Sequence, residues 1–158
     1  MKKLILLLAL VFTGFGTAFG QGVKLGINAG LPVGDISDAS TFQIGADVGY
    51  LYPATDMFSV GGLIGYSHYF MDKDVTNSDG WSFLPIAASA QFGFSDFLFV
   101  GADLGYAVGL SDGNDGGFFY RPKVGYGIGN LAIIASFSGI SVDGGDVSSV
   151  NLGVEFGF

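Results

Sequence analysis

Residues 98–110, LFVGADLGYAVGL, alternate between two kinds of side chain. Every even-numbered position is apolar, from Leu98 to Leu110, whereas the odd-numbered positions are mostly glycine or alanine, with Asp103 near the centre. A two-residue period is typical of a β-strand whose two faces meet different surroundings. Residues 42–52 (FQIGADVGYLY) and 150–158 (VNLGVEFGF) repeat the pattern. The sequence therefore predicts an all-β fold with one continuous apolar face.

Eight segments of this kind are separated by clusters of Gly, Asp, Asn, Ser and Pro, which favour turns. We predict strands at residues 23–33, 41–52, 58–70, 81–94, 98–110, 118–128, 131–140 and 150–158. The connections alternate in length: residues 53–56, 95–96 and 129–130 are short, and residues 34–40, 71–80, 111–117 and 141–146 are longer. This arrangement predicts an eight-stranded antiparallel up-and-down barrel.

Two features fit that scheme less simply. Pro85 and Pro122 fall inside strands, where proline removes a ladder hydrogen bond, so we predict a bulge at each. The seventh strand has no clear phase, and we expect Ile133, Ala135 and Phe137 to face outward.

Composition favours a membrane protein without a spanning helix. The chain is 49% hydrophobic with a mean hydropathy of +0.53, yet no apolar run approaches the roughly 20 residues that such a helix needs. A closed barrel reconciles these facts, because lipid leaves no partner for unpaired backbone groups. Beyond residue 20, four basic residues face 14 acidic ones, which argues against a nucleic-acid partner.

The first 20 residues have the character of a secretory signal peptide. Lys2 and Lys3 precede the apolar residues 4–12, and small residues at 17–20 suit cleavage before Gln21. We therefore predict a signal peptide at residues 1–20 and a single barrel domain at residues 21–158. The chain contains no cysteine, which excludes disulfides and thiolate metal sites.

The main rival is a soluble up-and-down barrel, such as a lipocalin-like carrier, which turns its apolar phase inward. A water-facing phase would be rich in Lys, Glu and Thr, but here the polar phase is largely Gly, Ser, Asn and Gln, and only 13% of the chain is charged. Small residues suit the narrow lumen of eight strands. The sequence thus favours an apolar phase that faces lipid.

Charged strand residues supply a second test of the two faces. All six fall in the phase opposite the apolar one: Lys24, Asp47, Asp103, Arg121, Lys123 and Glu155. We expect Lys24 to pair with Glu155 and Asp103 with Arg121, with Asp47 near Lys24 or Lys123. Since unpaired charge in a confined interior is costly, the sequence predicts a lumen plugged by an ion-pair network.

Aromatic residues cluster at strand ends, as they do at membrane interfaces. At the short-turn ends these predicted interface residues are Tyr50, Tyr52, Phe92, Phe94, Tyr126 and Phe156. At the long-loop ends they include Trp81, with Phe42, Tyr66, Phe118 and Tyr120.

With this pattern the chain resembles small eight-stranded outer-membrane β-barrels: the outer-membrane β-barrel domain proteins common in Bacteroidetes, the membrane domain of the OmpA family, and OmpX. Residues 150–158, ending in Phe158, resemble the final strand that the barrel-assembly machinery recognises. The resemblance implies location in the bacterial outer membrane, contact with lipid and lipopolysaccharide, and both termini in the periplasm. It implies no cofactor.

Little in the sequence points to chemistry. His68 is the only histidine, and the His-x-Ser spacing of lipid A deacylases would need serine where Phe70 stands. Acidic loop residues are weak candidates for a divalent cation, chiefly Asp72, Asp74 and Asp79; solvated turn residues explain them better, and we predict no metal site.

The leading hypothesis is a non-enzymatic envelope protein with a structural or surface-interaction role, in which the acidic loops could meet an unknown extracellular ligand. A narrow passive pore for small solutes is the alternative, and a lipid-modifying enzyme comes third.

Overall fold

The computed structural model describes residues 22–74 and 80–158. Its strands are β1 (Val23–Val33), β2 (Ser40–Pro53), β3 (Phe58–Met71), β4 (Trp81–Gly93), β5 (Leu98–Gly109), β6 (Gly116–Ile128), β7 (Leu131–Val142) and β8 (Gly145–Gly157). Each strand pairs antiparallel with the next, and β1 pairs with β8, which closes the barrel. The predicted all-β, eight-stranded architecture is confirmed. The predicted signal peptide lies outside the described residues.

The barrel has two unlike ends. The turn end carries connections 54–57, 94–97 and 129–130, together with Gly22 and Phe158. The loop end carries connections 34–39, 72–80, 110–115 and 143–144, the first of which contains a 3-10 helix, Gly34–Ile36. Within the described residues, no helix has the length and apolar character needed to cross a membrane.

The last connection differs from the prediction of a longer loop over residues 141–146. The β7–β8 ladder continues to Val142 opposite Gly145, leaving a two-residue turn of Asp143 and Gly144. Gly144 has φ +91°, which a residue with a side chain rarely adopts. Asp-Gly is a strong hairpin signal, so the longer-loop prediction was wrong for a reason visible in the sequence.

The predicted bulges at Pro85 and Pro122 are also wrong. The strand register is the same on both sides of each proline, and both prolines remain paired with residues of β5. Each proline interrupts the ladder only on its other side, Pro85 toward β3 and Pro122 toward β7. The missing N–H therefore removes pairing locally without inserting a residue. The register shift that does occur lies between Ser40 and Phe42, where β2 leaves the loop end.

The two faces of β5 show how the barrel is turned. Leu98, Leu104 and Tyr106 are exposed on the outer face, Leu104 by 52%, whereas Asp103 and Ala107 on the inner face are completely buried. The same exposure of large apolar side chains recurs on all eight strands, including Ile133 on β7. Soluble monomers rarely expose a contiguous apolar surface of this kind, so the structure agrees with an outward apolar phase.

An apolar layer fills the loop-end half of the lumen, where the sequence predicts mainly small residues. Tyr69, Phe83 and Ile140 are at most 1% exposed there. Phe119 and Val147 belong to the same cluster, and Ile36 of the 3-10 helix packs onto it from the loop end. This layer separates the loop-end surface from the charged layer below it.

Candidate functional site in the lumen and at the loop end

A charged layer spans the middle of the lumen. Asp103 is completely buried and accepts hydrogen bonds from Arg121 Nε at 2.7 Å, Lys123 Nζ at 3.1 Å and Ser89 Oγ at 2.5 Å. Direct strand pairing places Asp103 opposite Arg121, and opposite Ser89 on its other side. A single carboxylate therefore compensates two cations in a setting where an unpaired charge is strongly unfavourable.

Arg121 joins this carboxylate to the far wall of the barrel. Its Nη1 donates to Asp47 Oδ2 at 2.8 Å, while its Nε holds Asp103. Its guanidinium also lies 5.9 Å from the centre of the Phe119 ring, in the apolar layer. Strands β2 and β6 are not neighbours, so Arg121 bridges the lumen rather than one pair of strands. Asp47 thus pairs with Arg121, not with Lys24 or Lys123 as the sequence suggested.

The remaining pair is looser. Lys24 Nζ lies 4.0 Å from Glu155 Oε1, and the Lys24 side chain is 35% exposed. Because the two charged atoms are 4.0 Å apart and Lys24 is partly open to solvent, we expect this pair to contribute less to stability than the short pairs of Asp103. All six predicted lumen charges thus lie on the inner face, and the strongest links are centred on Asp103 and Arg121.

A neutral hydrogen-bond chain accompanies the charged layer and was not anticipated. Tyr69 and Ser149 hydroxyls are 3.2 Å apart, Ser149 contacts Ser138 at 2.9 Å, and Asn151 Nδ2 donates to Ser138 at 2.9 Å. Ser149 and Asn151 lie in the inward phase of β8. The signal was available, but the run of small residues before Val150 resembled a loop.

Free space inside the described part of the barrel is small where the charged layer lies. Three cavities there measure about 20, 20 and 10 Å³. A space of this size holds about one water molecule. The first two are lined by Arg121 and Asp47, and the third by Lys123 and Glu155. The charged side chains therefore occupy the lumen instead of lining a wide channel.

Most of the predicted interface aromatics lie on the outer face. The exposed ones at the turn end are Tyr50, Tyr52, Phe92, Phe94, Tyr126 and Phe156. The prediction that Trp81 lies at the membrane interface was wrong. Trp81 belongs to the inward phase of β4 and packs edge-to-face on Phe83, with ring centres 6.4 Å apart. Odd-numbered residues of β4 point inward, so its place at the loop end does not put it on the outer face.

Tyr66, His68 and Ser82 form a polar cluster on the outer face that was not predicted from the sequence. His68 Nδ1 lies 2.7 Å from Ser82 Oγ, and the Tyr66 hydroxyl lies 2.9 Å from the same oxygen. Cross-strand pairing of His68 with Ser82 creates this contact, which a search along one strand cannot find. Among the described residues, no carboxylate is hydrogen-bonded to the imidazole, so the cluster lacks the acidic group that orients a catalytic histidine in a triad.

Two of the weak metal candidates, Asp72 and Asp74, contact each other within their loop. Asp72 Oδ1 accepts the backbone N–H of Asp74 at 3.0 Å, which is a local turn contact. Asp79 lies outside the described residues. Within residues 22–74 and 80–158, no group of three or more His, Asp or Glu side chains is placed to hold a metal ion.

Phe158 follows β8 at the turn end. Its carbonyl accepts the N–H of Gly22 and its N–H donates to Val23, both at 2.9 Å, while its side chain is 62% exposed. The backbone of Phe158 therefore completes the β1–β8 seam, and its ring contributes little to the packed interior.

Comparison with known proteins identifies the fold but no family by sequence. No protein-family model matches the chain, and no curated protein sequence matches it. Ail, the attachment invasion locus protein of Yersinia pestis, matches with TM-score 0.60 and 16% identity over 87% of this chain and 97% of that one. The N-terminal β-barrel domain of Pseudomonas aeruginosa OprF gives 0.52 and 19% over 88% and 100%, and Neisserial surface protein A gives 0.52 and 18% over 89% and 98%.

The chain accordingly has the fold of small outer-membrane β-barrels, and the predicted resemblance is confirmed at that level. A Bacteroidetes-type origin and the periplasmic location of the termini stay predictions.

Proposed function

We propose that the protein is a non-enzymatic, integral outer-membrane β-barrel with a closed lumen and a structural or surface-interaction role exercised at its loop end. The observation that carries this proposal is the buried layer in which Arg121 bridges Asp47 and Asp103 across the barrel. The exposed apolar outer face supports membrane insertion. Structural neighbours named for the outer membrane or the cell surface support the location.

A narrow passive pore is the alternative, and the lumen argues against it. An ion crossing the barrel would have to displace Arg121 from two carboxylates and pass cavities that hold about one water each. The apolar layer of Tyr69, Phe83 and Ile140 then blocks the way to the loop end.

Conductance in planar bilayers tests this closed lumen. The refolded wild-type protein is expected to insert without producing steady openings, because no continuous water path crosses the charged and apolar layers. Protein-free detergent at the same dilution is the control for bilayer leakage. Steady openings whose size changes in Arg121→Ala, but not in a loop variant such as Asp112→Asn, would refute the closed barrel.

An enzymatic role has less support. His68 is the only histidine of the chain, and among the described residues Ser82 is the serine whose hydroxyl is hydrogen-bonded to its ring. It has no carboxylate partner among the described residues, and Ser82 Oγ is shared with the Tyr66 hydroxyl. The cluster is better explained as a polar contact near the loop-end boundary of the apolar face.

The loop end is strongly acidic, and we place it outside the cell. Lys73 is its one basic residue, against nine aspartates: Asp35, Asp38, Asp72, Asp74, Asp79, Asp112, Asp115, Asp143 and Asp146. Long loops outside and short turns on the periplasmic side are the usual arrangement in outer-membrane barrels. This orientation puts the termini in the periplasm and brings the acidic surface next to lipopolysaccharide.

Cysteine labelling tests the orientation cleanly because the chain has no cysteine of its own. A membrane-impermeant maleimide added to intact cells is expected to label Asp112→Cys at the loop end. It should label Thr55→Cys, in a turn-end connection, only after the outer membrane is permeabilised. The opposite pattern would place the termini outside.

Phe158 is assigned a role in biogenesis. Its exposed ring, just after strand β8, suits recognition by the barrel-assembly machinery more than stabilisation of the finished barrel. Membrane lipid and lipopolysaccharide are then the partners of the assembled protein.

A further inference from the structure

We propose that the loop end contains a binding site for a small organic ammonium ion with an apolar body. The site is a cavity of about 270 Å³ between the 3-10 helix, the start of β4 and the β7–β8 hairpin. It lies on the loop-end side of the apolar layer, so it is separate from the charged layer in the lumen. The proposal names a ligand class for the surface-interaction role and rests on that proposed function.

The floor and walls of the cavity are apolar. Ile36, Met71, Val142 and Val147 line it together with Trp81. Ile36 and Val147 are at most 7% exposed and belong to the packed core, so the floor is rigid. Trp81 is held edge-on against Phe83 and remains partly exposed toward the cavity. Such a surface would bind the apolar body of a ligand by excluding water.

Three carboxylates, those of Asp35, Asp143 and Asp146, line the same cavity. The Asp35 carboxylate faces Gly145: a Cβ added there would lie 3.2 Å from Asp35 Oδ2, so the acidic side chain reaches across to the hairpin. Across residues 22–74 and 80–158, no Lys or Arg is close enough to form an ion pair with any of the three. The negative charge at the cavity is therefore not compensated by the protein itself.

These two properties together select a ligand. An apolar body fits the floor, and an ammonium group suits both the carboxylates and an indole ring, since cations bind favourably over tryptophan. An anion of the same shape would be repelled. The volume of about 270 Å³ is slightly below the usual range of small-molecule pockets, so it suits a compact single-ring molecule rather than a large one.

Three matched probes test the site on the full barrel refolded in non-ionic detergent: phenethylammonium, phenethyl alcohol and phenylacetate. Binding is measured by calorimetry and by the emission of Trp81, the only tryptophan in the chain. We expect saturable binding of phenethylammonium with a change in Trp81 emission, much weaker binding of the alcohol, and none of phenylacetate. Raising the salt concentration should weaken phenethylammonium binding.

Substitutions then separate charge from structure. The double variant Asp35→Asn, Asp146→Asn should weaken phenethylammonium binding about tenfold, as expected for losing two partly screened ion pairs. Asp112→Asn, which removes a loop carboxylate outside the cavity, should leave binding unchanged. Heat-modifiable gel migration checks that each variant is folded. Trp81→Phe removes the indole ring and with it the fluorescence signal, so binding to this variant is measured by calorimetry only. We expect weaker binding of phenethylammonium than in the wild type.

Three results would overturn the site: no saturable binding of phenethylammonium, equal binding of phenylacetate, or unchanged binding in the double variant. None of these depends on conductance. A closed barrel that fails to bind phenethylammonium refutes the site alone, whereas a conducting barrel refutes the proposed function whether or not the probe binds.

Discussion

Replacing Asp103 by alanine is expected to lower the free energy of unfolding by about 3–5 kcal/mol, the usual effect of removing one partner from a buried ion pair. Asp103 is fully buried and holds both Arg121 and Lys123, so its loss removes the carboxylate that is ion-paired with Lys123 and leaves Arg121 with Asp47 alone. Equilibrium unfolding in urea measures this change in the free energy of unfolding, with the folded fraction at each urea concentration determined from gel migration.

Asp112→Ala is the matched control, because Asp112 is exposed in a loop and its removal should change stability by less than about 0.5 kcal/mol. A double variant, Asp103→Ala with Lys123→Met, should recover part of the loss, since it removes the stranded cation as well. If Asp103→Ala is no more harmful than Asp112→Ala, the charged layer does not stabilise the barrel.

Leu104→Arg, one residue further along β5, is expected to lower the free energy of unfolding in phospholipid vesicles by about 2–4 kcal/mol, the penalty for a basic residue near the bilayer midplane. Leu104 is on the outer face near the middle of the strand, 52% exposed in the isolated chain. If that face met water, arginine there would change stability by less than about 0.5 kcal/mol.

Asp112→Arg serves as the control for added positive charge, and should have little effect. Two neighbouring residues of β5 thus give opposite tests. Stability should fall when Asp103 loses its charge, and it should also fall when a charge is introduced at Leu104. Equal, small effects of Leu104→Arg and Asp112→Arg would mean that the outer face of the barrel does not contact lipid.

The strands and their faces follow from the sequence because their signal is local. In residues 98–110 the alternation alone assigns Leu104 outward and Asp103 inward. Closing the barrel adds no ambiguity, since short connections force neighbouring strands to pair antiparallel. The charged lumen residues could be identified for the same reason, because each lies in a known phase of a known strand.

Partners across the lumen could not be identified in this way. Asp47 and Arg121 are separated by four strand boundaries, and their contact depends on strand tilt and stagger, which local pattern does not specify. The pairing of His68 with Ser82 likewise depends on the register of β3 against β4. Trp81 was misplaced by its position at a strand end, although its phase was readable.

Function is less visible still, because a barrel fold is shared by proteins with different roles. The cavity beside Trp81 is built from two connections and the ends of four strands. Its lining comes from separate parts of the sequence, namely residues 35–39, Met71, Trp81 and residues 142–147, so no single motif or fixed spacing predicts it. Only the closed barrel brings Asp35 next to the β7–β8 hairpin.

The apolar phase of the strands faces outward, where we expect it to contact lipid, while the other phase fills a closed lumen. Fluorescence quenching by phospholipids brominated along their acyl chains tests it most directly, with the variant Trp81→Phe, Leu104→Trp compared with the wild type, whose single tryptophan faces inward. We expect strong quenching for the Leu104→Trp variant and weak quenching for the wild type. Weak quenching of the Leu104→Trp variant, in protein that has folded and remains with the vesicles, would contradict it.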